Sequence, residues 1–367
     1  MLRIGLVSKF HAADGLCTVA NAVLDGLTDK SHEVHVFTQS PSVGRTHPQR
    51  VHRFAAVQLN PHFSLDSPSA VRMIAEVCRE HDIEVLNVQM NSGSTEFLLP
   101  YFKRSLPPLV VTFHLAYAAG PSAFTTLFAV AWKASVFAAR KYDRIVLVDP
   151  SQEAFFAERG VPEARITVIR NGVDTKLFAP SEKGKEDALL DFIYVGRLSL
   201  DKGVDVLLRA FERYHAENHD CRLTLIGDGM LKSRLNRYTS RSAIRWFGIL
   251  GHGQIPLFLQ NADVFVIPQN IGGLGMSVLE AMSCGLPVVT TGIGETTRLL
   301  SDDEGILVQP RNVDAVVRAM ELLGSDEKLR RSMGMRCRRK ILREYSWASQ
   351  IELLERVFAE VVSQQRG

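Results

Sequence analysis

The sequence predicts an α/β protein made of two doubly wound domains that face each other across a cleft. Three observations carry this. Short apolar, β-branched runs alternate with helix-period segments along nearly all of the 367 residues. Glycine-bearing turns follow several of those runs, at the carboxyl ends of strands, the edge where open parallel sheets bind ligands. A polar, charged connection, RNGVDTKLFAPSEKGKEDALLD at 170–191, separates the two series. The expected domains are 1–177 and 178–347, with a C-terminal helix over 348–367 returning to the first.

Length and composition fit this reading. A chain of this size exceeds one typical core, so two domains are expected. With 46% hydrophobic and 23% charged residues, neither disorder nor a membrane class is favoured. A net charge of +3 on 40.8 kDa argues against a nucleic-acid binder, which carries a basic patch or stripe. Five scattered cysteines (Cys17, Cys78, Cys221, Cys284, Cys337) lack metal spacing and read as buried free thiols of a reducing compartment. MLRIGLVSKF leads into a strand pattern without the apolar core of a signal peptide, and no run of eighteen apolar residues occurs. A cytoplasmic protein is expected.

In the first half, Leu2–Val7 reads as a strand, Asp14-Gly15 opens a helix to about Lys30, and Val34–Thr38 is the next strand. Gly15 stands where backbone can approach a ligand. The loop lacks G-x-G-x-x-G, and the second strand ends in Thr38-Gln39-Ser40 instead of a ribose-binding acid, so a dinucleotide oxidoreductase is disfavoured. A helix over Ser67–His81, strand Val85–Val88, a helix from Ser94 and strand Leu109–Phe113 follow, and His114 sits at the carboxyl end of that last strand. A lone histidine is commonly structural; its strand-end place raises the functional reading. Pro121–Arg140 is a long apolar helix with Trp132-Lys133, either buried or lying at a membrane surface. Arg144–Val148 and Ile166–Ile169 complete the first series.

The second half opens on strand Phe192–Val195, with Arg197 and Lys202-Gly203 before a helix whose apolar residues Val204, Leu207, Leu208 and Phe211 recur at helical spacing. Two cations beside a helix start suit a diphosphate, though either is equally at home on a solvated loop. Strand Arg222–Ile226 ends in Gly-Asp-Gly, and strand Ile244–Phe247 ends where Phe247 could stack on a base. NADVFVIPQNIGGLGMSVLEAMSCGLPVVTT at 261–291 is a strand, a glycine loop, a helix from Met276 and a second strand. Gly275, Met276 and Ser277 open that helix, where unpaired N–H groups suit an anion. Glu280 lies one turn on and can accept hydrogen bonds from ribose or sugar hydroxyls; a buried turn with a solvated Glu280 is the plainer alternative. Eight cations between Lys328 and Arg343 read as a solvated helix face, with anionic lipid as the lesser reading.

Taken together, VIRNGVDTKLF (168–178), YVGRLSLDKGVDVLLRAF (194–211), LTLIGDGMLKSRL (223–235), WFGIL (246–250), GGLGMSVLEAMSCGLPVVTT (272–291) and the YSW at 345–347 resemble the family 4 glycosyltransferases over nearly the whole chain. That resemblance implies the GT-B fold of two facing Rossmann-like domains, and transfer of sugar from a nucleotide diphosphate sugar with retention and without metal or other cofactor. It implies that Arg197 and Lys202 hold the donor diphosphate, Glu280 the ribose, and Gly275, Met276 and Ser277 the phosphates or sugar. His114 is expected beside the reacting carbon and Gly15 against the diphosphate. Two departures stand out. Gly272 occupies the place of the family's first glutamate, for which Gln269 or Asn270 are candidate substitutes, and Asp14-Gly15 replaces a paired glycine. The expected partners are the donor and a glycan, lipid-linked or small-molecule acceptor, with polysaccharide or cell-envelope assembly favoured. Peripheral contact with the inner membrane surface is a further expectation. A nucleotide-sugar-binding homologue that has lost transfer activity and acts as a partner subunit is the alternative.

Overall fold

The structure is a computed structural model that describes residues 1–10, 15–41, 43, 48–60, 63–90, 93–114, 136–181, 189–235, 243–271 and 275–366. It divides into two compact units, Met1–Gly172 with Trp347–Gly367, and Val173–Ser346.

The first unit contains strands β1 (Arg3–Val7), β2 (Glu33–Thr38), β3 (Val51–Arg53), β4 (Ala56–Asn60), β5 (Phe63–Asp66), β6 (Val85–Met90), β7 (Leu109–Phe113), β8 (Arg144–Leu147) and β9 (Ile166–Val168). Seven of them form a sheet in the order β3-β2-β1-β6-β7-β8-β9, parallel throughout, while β4 and β5 make a separate antiparallel hairpin. Side chains alternate across a strand, so each strand feeds two cores. Ile4, Leu6, Val34, Val36, Val85, Val110 and Val146 pack with Val19, Val23 and Leu27 of helix Gly15–Asp29 and with Ile351, Leu354 and Phe358 of helix Trp347–Arg366. Leu86, Val88, Leu109, Val111, Ile145 and Leu147 face the other way, onto Val71, Ile74 and Cys78 of helix Ser69–Glu80. The C-terminal helix is also tied by polar contacts: His32 takes the Leu2 amide on Nδ1 and meets Glu355 through Nε2 at 2.7 Å, and Lys30 reaches the same carboxylate at 2.8 Å.

The second unit contains β10 (Leu190–Val195), β11 (Cys221–Ile226), β12 (Ile244–Trp246), β13 (Val264–Ile267), β14 (Val288–Thr291) and β15 (Gly305–Val308) in the order β12-β11-β10-β13-β14-β15, again all parallel. Helix Val204–Glu217 buries Val204, Leu207, Leu208, Phe211 and Tyr214 against this sheet. All five cysteines are buried and none is in a disulfide. Among the described residues no helix is long and apolar enough to cross a membrane.

Four expectations change. The unit boundary falls at 172/173 and 346/347, not at 177/178 and 347/348. The reason lies in residues 173–178, which belong to the second unit: the Val173 amide bonds the Tyr345 carbonyl at 2.8 Å, and Phe178 is fully buried in the second core. The eight cations are not one solvated face. Arg338 donates to the carbonyls of Thr175, Phe178 and Ser283, each at 2.9 Å, Arg330 donates to the carbonyls of Leu323 and Gly324, and Lys340 pairs with Glu304 in a largely buried contact. The helix expected from Ser94 is a single turn, Thr95–Leu98, before Pro100 enters a 3-10 segment. The strand expected to include Phe247 stops at Trp246. Residues 121–135 of the apolar helix, and Asp14 and Gly272, lie outside the described residues.

Candidate functional site

In the second unit the strand order reverses between β10 and β13, so the loops leaving their carboxyl ends diverge. That makes the expected binding crevice of an open α/β sheet. The loop after β10 carries Arg197 and Lys202; the one after β13 carries Gln269 and Asn270 and leads to helix Met276–Ser283.

The two loops are stapled backbone to backbone. The amides of Asn270 and Ile271 both donate to the Asp201 carbonyl, at 2.7 and 3.2 Å, and the Asn270 side-chain amide donates to the Leu200 carbonyl at 2.6 Å. Gly203, at φ +69°, makes this possible: a Cβ there would lie 1.9 Å from the Pro268 carbonyl oxygen. Deeper in, the hydroxyls of Thr290 and Thr291 donate to the carbonyls of Ile267 and Gln269, fixing the same turn from β14.

Each predicted cation has its own anchor. Arg197 is exposed and meets Asp201 at 3.1 Å, while its carbonyl accepts the buried Tyr194 hydroxyl at 2.6 Å. Lys202 donates to Gln269 Oε1 at 3.3 Å, and burial lowers its pKa. Asn270 Oδ1 is buried with no hydrogen-bond partner among the described residues, leaving an acceptor beside the lysine loop. Gly275 is the N-cap of helix Met276–Ser283 with Met276 and Ser277 half-buried in its first turn.

Glu280 is buried on that helix, and sequence reasoning missed its partner: His252 Nε2 lies 2.8 Å from Glu280 Oε1. The carboxylate, mainly by this hydrogen bond, raises the His252 pKa above the ordinary imidazole value. Phe247 is half-exposed, donates its amide to the Leu225 carbonyl at 3.0 Å, and meets Phe258 edge-on at 4.7 Å.

In the first unit, His114 follows β7 and heads a relay across two strands. Its Nε2–H donates to Gln89 Oε1, Gln89 donates to Asn87 Oδ1, and Asn87 donates to Thr112 Oγ1 at 3.2 Å. This orientation, assigned from the hydrogen-bond pattern, leaves Nδ1 unprotonated; it is enclosed and has no partner among the described residues. Burial pushes the pKa of the ring down to about 4, so at neutral pH it is a neutral acceptor. Gly15 begins helix Gly15–Asp29, after β1. Gln89 carried no signal in the sequence beyond its place on a buried strand.

Comparison with known proteins accords with this architecture. The family model of glycosyltransferase family 4 matches residues 13–177, and that of glycosyl transferases group 1 matches residues 176–340. The chain belongs to the family 4 glycosyltransferases. It is 30% identical over 244 residues, 62% of each chain, to the UDP-Gal:alpha-D-GlcNAc-diphosphoundecaprenol alpha-1,3-galactosyltransferase of Escherichia coli. It is 25% identical over 341 residues to the GDP-mannose-dependent alpha-(1-6)-phosphatidylinositol monomannoside mannosyltransferase of Mycolicibacterium smegmatis, 87% of this chain and 88% of the relative. The match spans less than two thirds of several such relatives, 62% of the galactosyltransferase and 46% of a Mycobacterium tuberculosis glycogen synthase. Among solved GT-B family structures, a sucrose-phosphate synthase from Thermosynechococcus elongatus has a TM-score of 0.79 at 18% identity, covering 99% of this chain and 100% of that one. Anabaena HepE in complex with UDP and glucose has a TM-score of 0.76 at 16% identity, covering 98% of this chain and 100% of that one. These two are likenesses of fold.

Proposed function

We propose that this protein is a retaining glycosyltransferase that moves a sugar from a nucleotide diphosphate sugar to a lipid-linked glycan acceptor, without a metal in the transfer step. The observation that carries the reading is the stapled pair of loops after β10 and β13, which fixes Lys202 beside the polar turn 268–271 at the switch point of the sheet. A sugar leaving a diphosphate passes through an oxocarbenium-like state while charge builds on the leaving oxygens. Arg197 and Lys202 neutralise that charge, and the first-turn amides at Met276 and Ser277 add oriented dipoles. Loops fixed beforehand spare the reorganisation that water would require.

The bond that breaks joins the anomeric carbon to the phosphate oxygen; the bond that forms joins that carbon to the acceptor oxygen on the same face. The departing phosphate takes the acceptor's proton, so no pair of placed carboxylates is needed, in contrast to hydrolytic glycosidases. His114, neutral with a bare Nδ1, accepts a hydrogen bond from a donor-sugar hydroxyl, and Gly15 lies against the diphosphate. Glu280 binds the ribose, Phe247 stacks on the base, and Asn270 Oδ1 with Gln269 replaces the glutamate that Gly272 lacks. The lipid-linked acceptor is supported by the relatives, whose names specify a diphosphoundecaprenol and a phosphatidylinositol acceptor. The protein works at the cytoplasmic face of a membrane.

The test is the melting temperature of the purified protein against nucleoside diphosphates and their sugars in a chelating buffer, followed by transfer assays with the sugar that binds. One nucleotide raises the melting temperature, and Arg197→Ala abolishes transfer with the fold retained. Transfer at the normal rate by Arg197→Ala would refute the phosphate assignment. Gly272 favours a second reading, a nucleotide-sugar-binding subunit without transfer activity. Under it the protein binds nucleotide but turns over no acceptor, and Gly272→Glu restores turnover.

A further inference from the structure

Away from the strand ends discussed above, three histidines far apart in sequence converge on the first unit. His35 lies on β2, His52 on β3, and His81 caps the C-terminus of helix Ser69–Glu80. One nitrogen of each lies within 4.8 Å of the other two. His35 Nδ1 and His52 Nε2 are 3.0 Å apart, and the His81 ring centroid is 4.4 Å from that of His35 and 5.8 Å from that of His52. His35 is buried and the other two are half-buried.

We propose that His35, His52 and His81 form a binding site for a divalent transition-metal ion of the zinc class, with the fourth position open to water. Three imidazole nitrogens are the donor set such ions take when one position stays open. Two ligands at the usual zinc–nitrogen distance on a tetrahedral ion sit about 3.3 Å apart. The His35–His52 pair therefore needs to part by only a few tenths of an ångström.

The surroundings also fit a ligand site. The other nitrogen of His35, Nε2, faces Glu33 Oε1 at 3.2 Å. A carboxylate on the far nitrogen is the arrangement that orients metal-binding histidines and raises their basicity. Glu33, Arg50 and Glu80 are the other charged groups acting on the cluster.

Topology separates this site from the transfer chemistry. Glu33 opens β2, and the helix ending at His81 returns to β6 at its first residues, where Glu84 bonds Arg3 of β1. This is the amino-terminal side of the parallel sheet, opposite the carboxyl ends that carry Gly15 and His114. The metal is accordingly a stabilising ligand of the first unit, independent of the proposed transferase reading.

The experiment uses the full chain, purified without a histidine tag and stripped with a chelator. Co2+ is titrated and its visible ligand-field bands are recorded, then Zn2+ is added. One equivalent of Co2+ gives intense tetrahedral bands that Zn2+ bleaches. His52→Ala and His81→Ala, at half-buried positions, lose the bands, and Glu33→Gln keeps all three ligands but weakens Co2+ binding about 10- to 100-fold. Far-UV circular dichroism reports whether each variant is folded. Absence of bands in the wild-type protein would overturn the proposal, and so would bands undiminished in folded His52→Ala and His81→Ala. The wild-type titration decides by itself if a variant fails to fold.

Discussion

Gly203→Ala tests whether the loops after β10 and β13 are held by direct backbone approach. The added methyl would sit 1.9 Å from the Pro268 carbonyl oxygen, where a carbon needs about 3.3 Å, so the loops must separate by about 1.4 Å. That displacement removes the Asn270 and Ile271 amide bonds to Asp201 and the Asn270 side-chain bond to Leu200. Each is worth about 1 kcal/mol net. A left-handed alanine adds about 1–2 kcal/mol of strain, offset by about 0.4–1 kcal/mol from the stiffer unfolded chain. The expected loss is about 3–4 kcal/mol in urea unfolding, accompanied by loss of nucleotide-dependent thermal stabilisation, because the Lys202–Gln269 contact of 3.3 Å goes with the loops. Gly275→Ala is the control: φ is −76° and the nearest described atom to its new Cβ is Ser277 Oγ at 3.8 Å, so only the weaker N-cap is felt, about 0.5 kcal/mol. A Gly203→Ala protein as stable as wild type, with nucleotide binding intact, would show that the two loops do not depend on this approach.

Two further outcomes follow from side-chain networks. Arg338→Met strands the carbonyls of Thr175 and Ser283, leaves that of Phe178 to the Ser283 hydroxyl alone, and costs about 2–3 kcal/mol in urea unfolding; Arg338→Lys recovers only part of it because an ammonium lacks the guanidinium fork. A loss below about 1 kcal/mol for Arg338→Met would mean that those carbonyls find other donors. The His252–Glu280 pair predicts a pH dependence. Because the folded pKa of His252 is raised, the stability it contributes is complete below the unfolded value of about 6.5 and disappears as pH rises through the higher folded value. Wild type should therefore lose stability relative to His252→Gln on going upward from about pH 6.5, and parallel pH curves for the two proteins would exclude the pair as its source.

Much of this architecture was legible because parallel strands buried on both faces must be apolar runs, and such runs are what the eye finds at Val264–Ile267 or Leu109–Phe113. The edge pieces were not. β3 has three residues, and the β4–β5 hairpin leaves Val57 and Leu65 exposed, so neither produces a clean buried period. The junction misled for a different reason. Its polar composition reads as a linker, yet Phe178 is anchored in the second core and the carbonyls around it are fixed by Arg338, a residue 160 positions away. The same distance argument explains the histidines. His252 precedes Glu280 by 28 residues and His35 precedes His52 by 17, and no local spacing announces either meeting.

The glycines show where sequence reasoning about a site reaches its limit. Gly203 and Gly275 look alike in the chain, each following a strand and preceding a helix, and both suggest backbone lying close to a ligand. In the fold they do opposite things. Gly203 is small because another piece of the protein's own backbone occupies its space, whereas the described surroundings of Gly275 leave room for a side chain. The first therefore contributes rigidity and the second access. Under the proposed transfer reading rigidity is the scarcer requirement, since electrostatic stabilisation of a departing diphosphate would depend on donors already in place. It also bears on Gly272: with the turn 268–271 pinned through Asp201, Leu200, Thr290 and Thr291, Asn270 and Gln269 are held at fixed positions without help from a carboxylate two residues later. A glycine at position 272 thus removes a side chain without removing the scaffold that holds the turn before it.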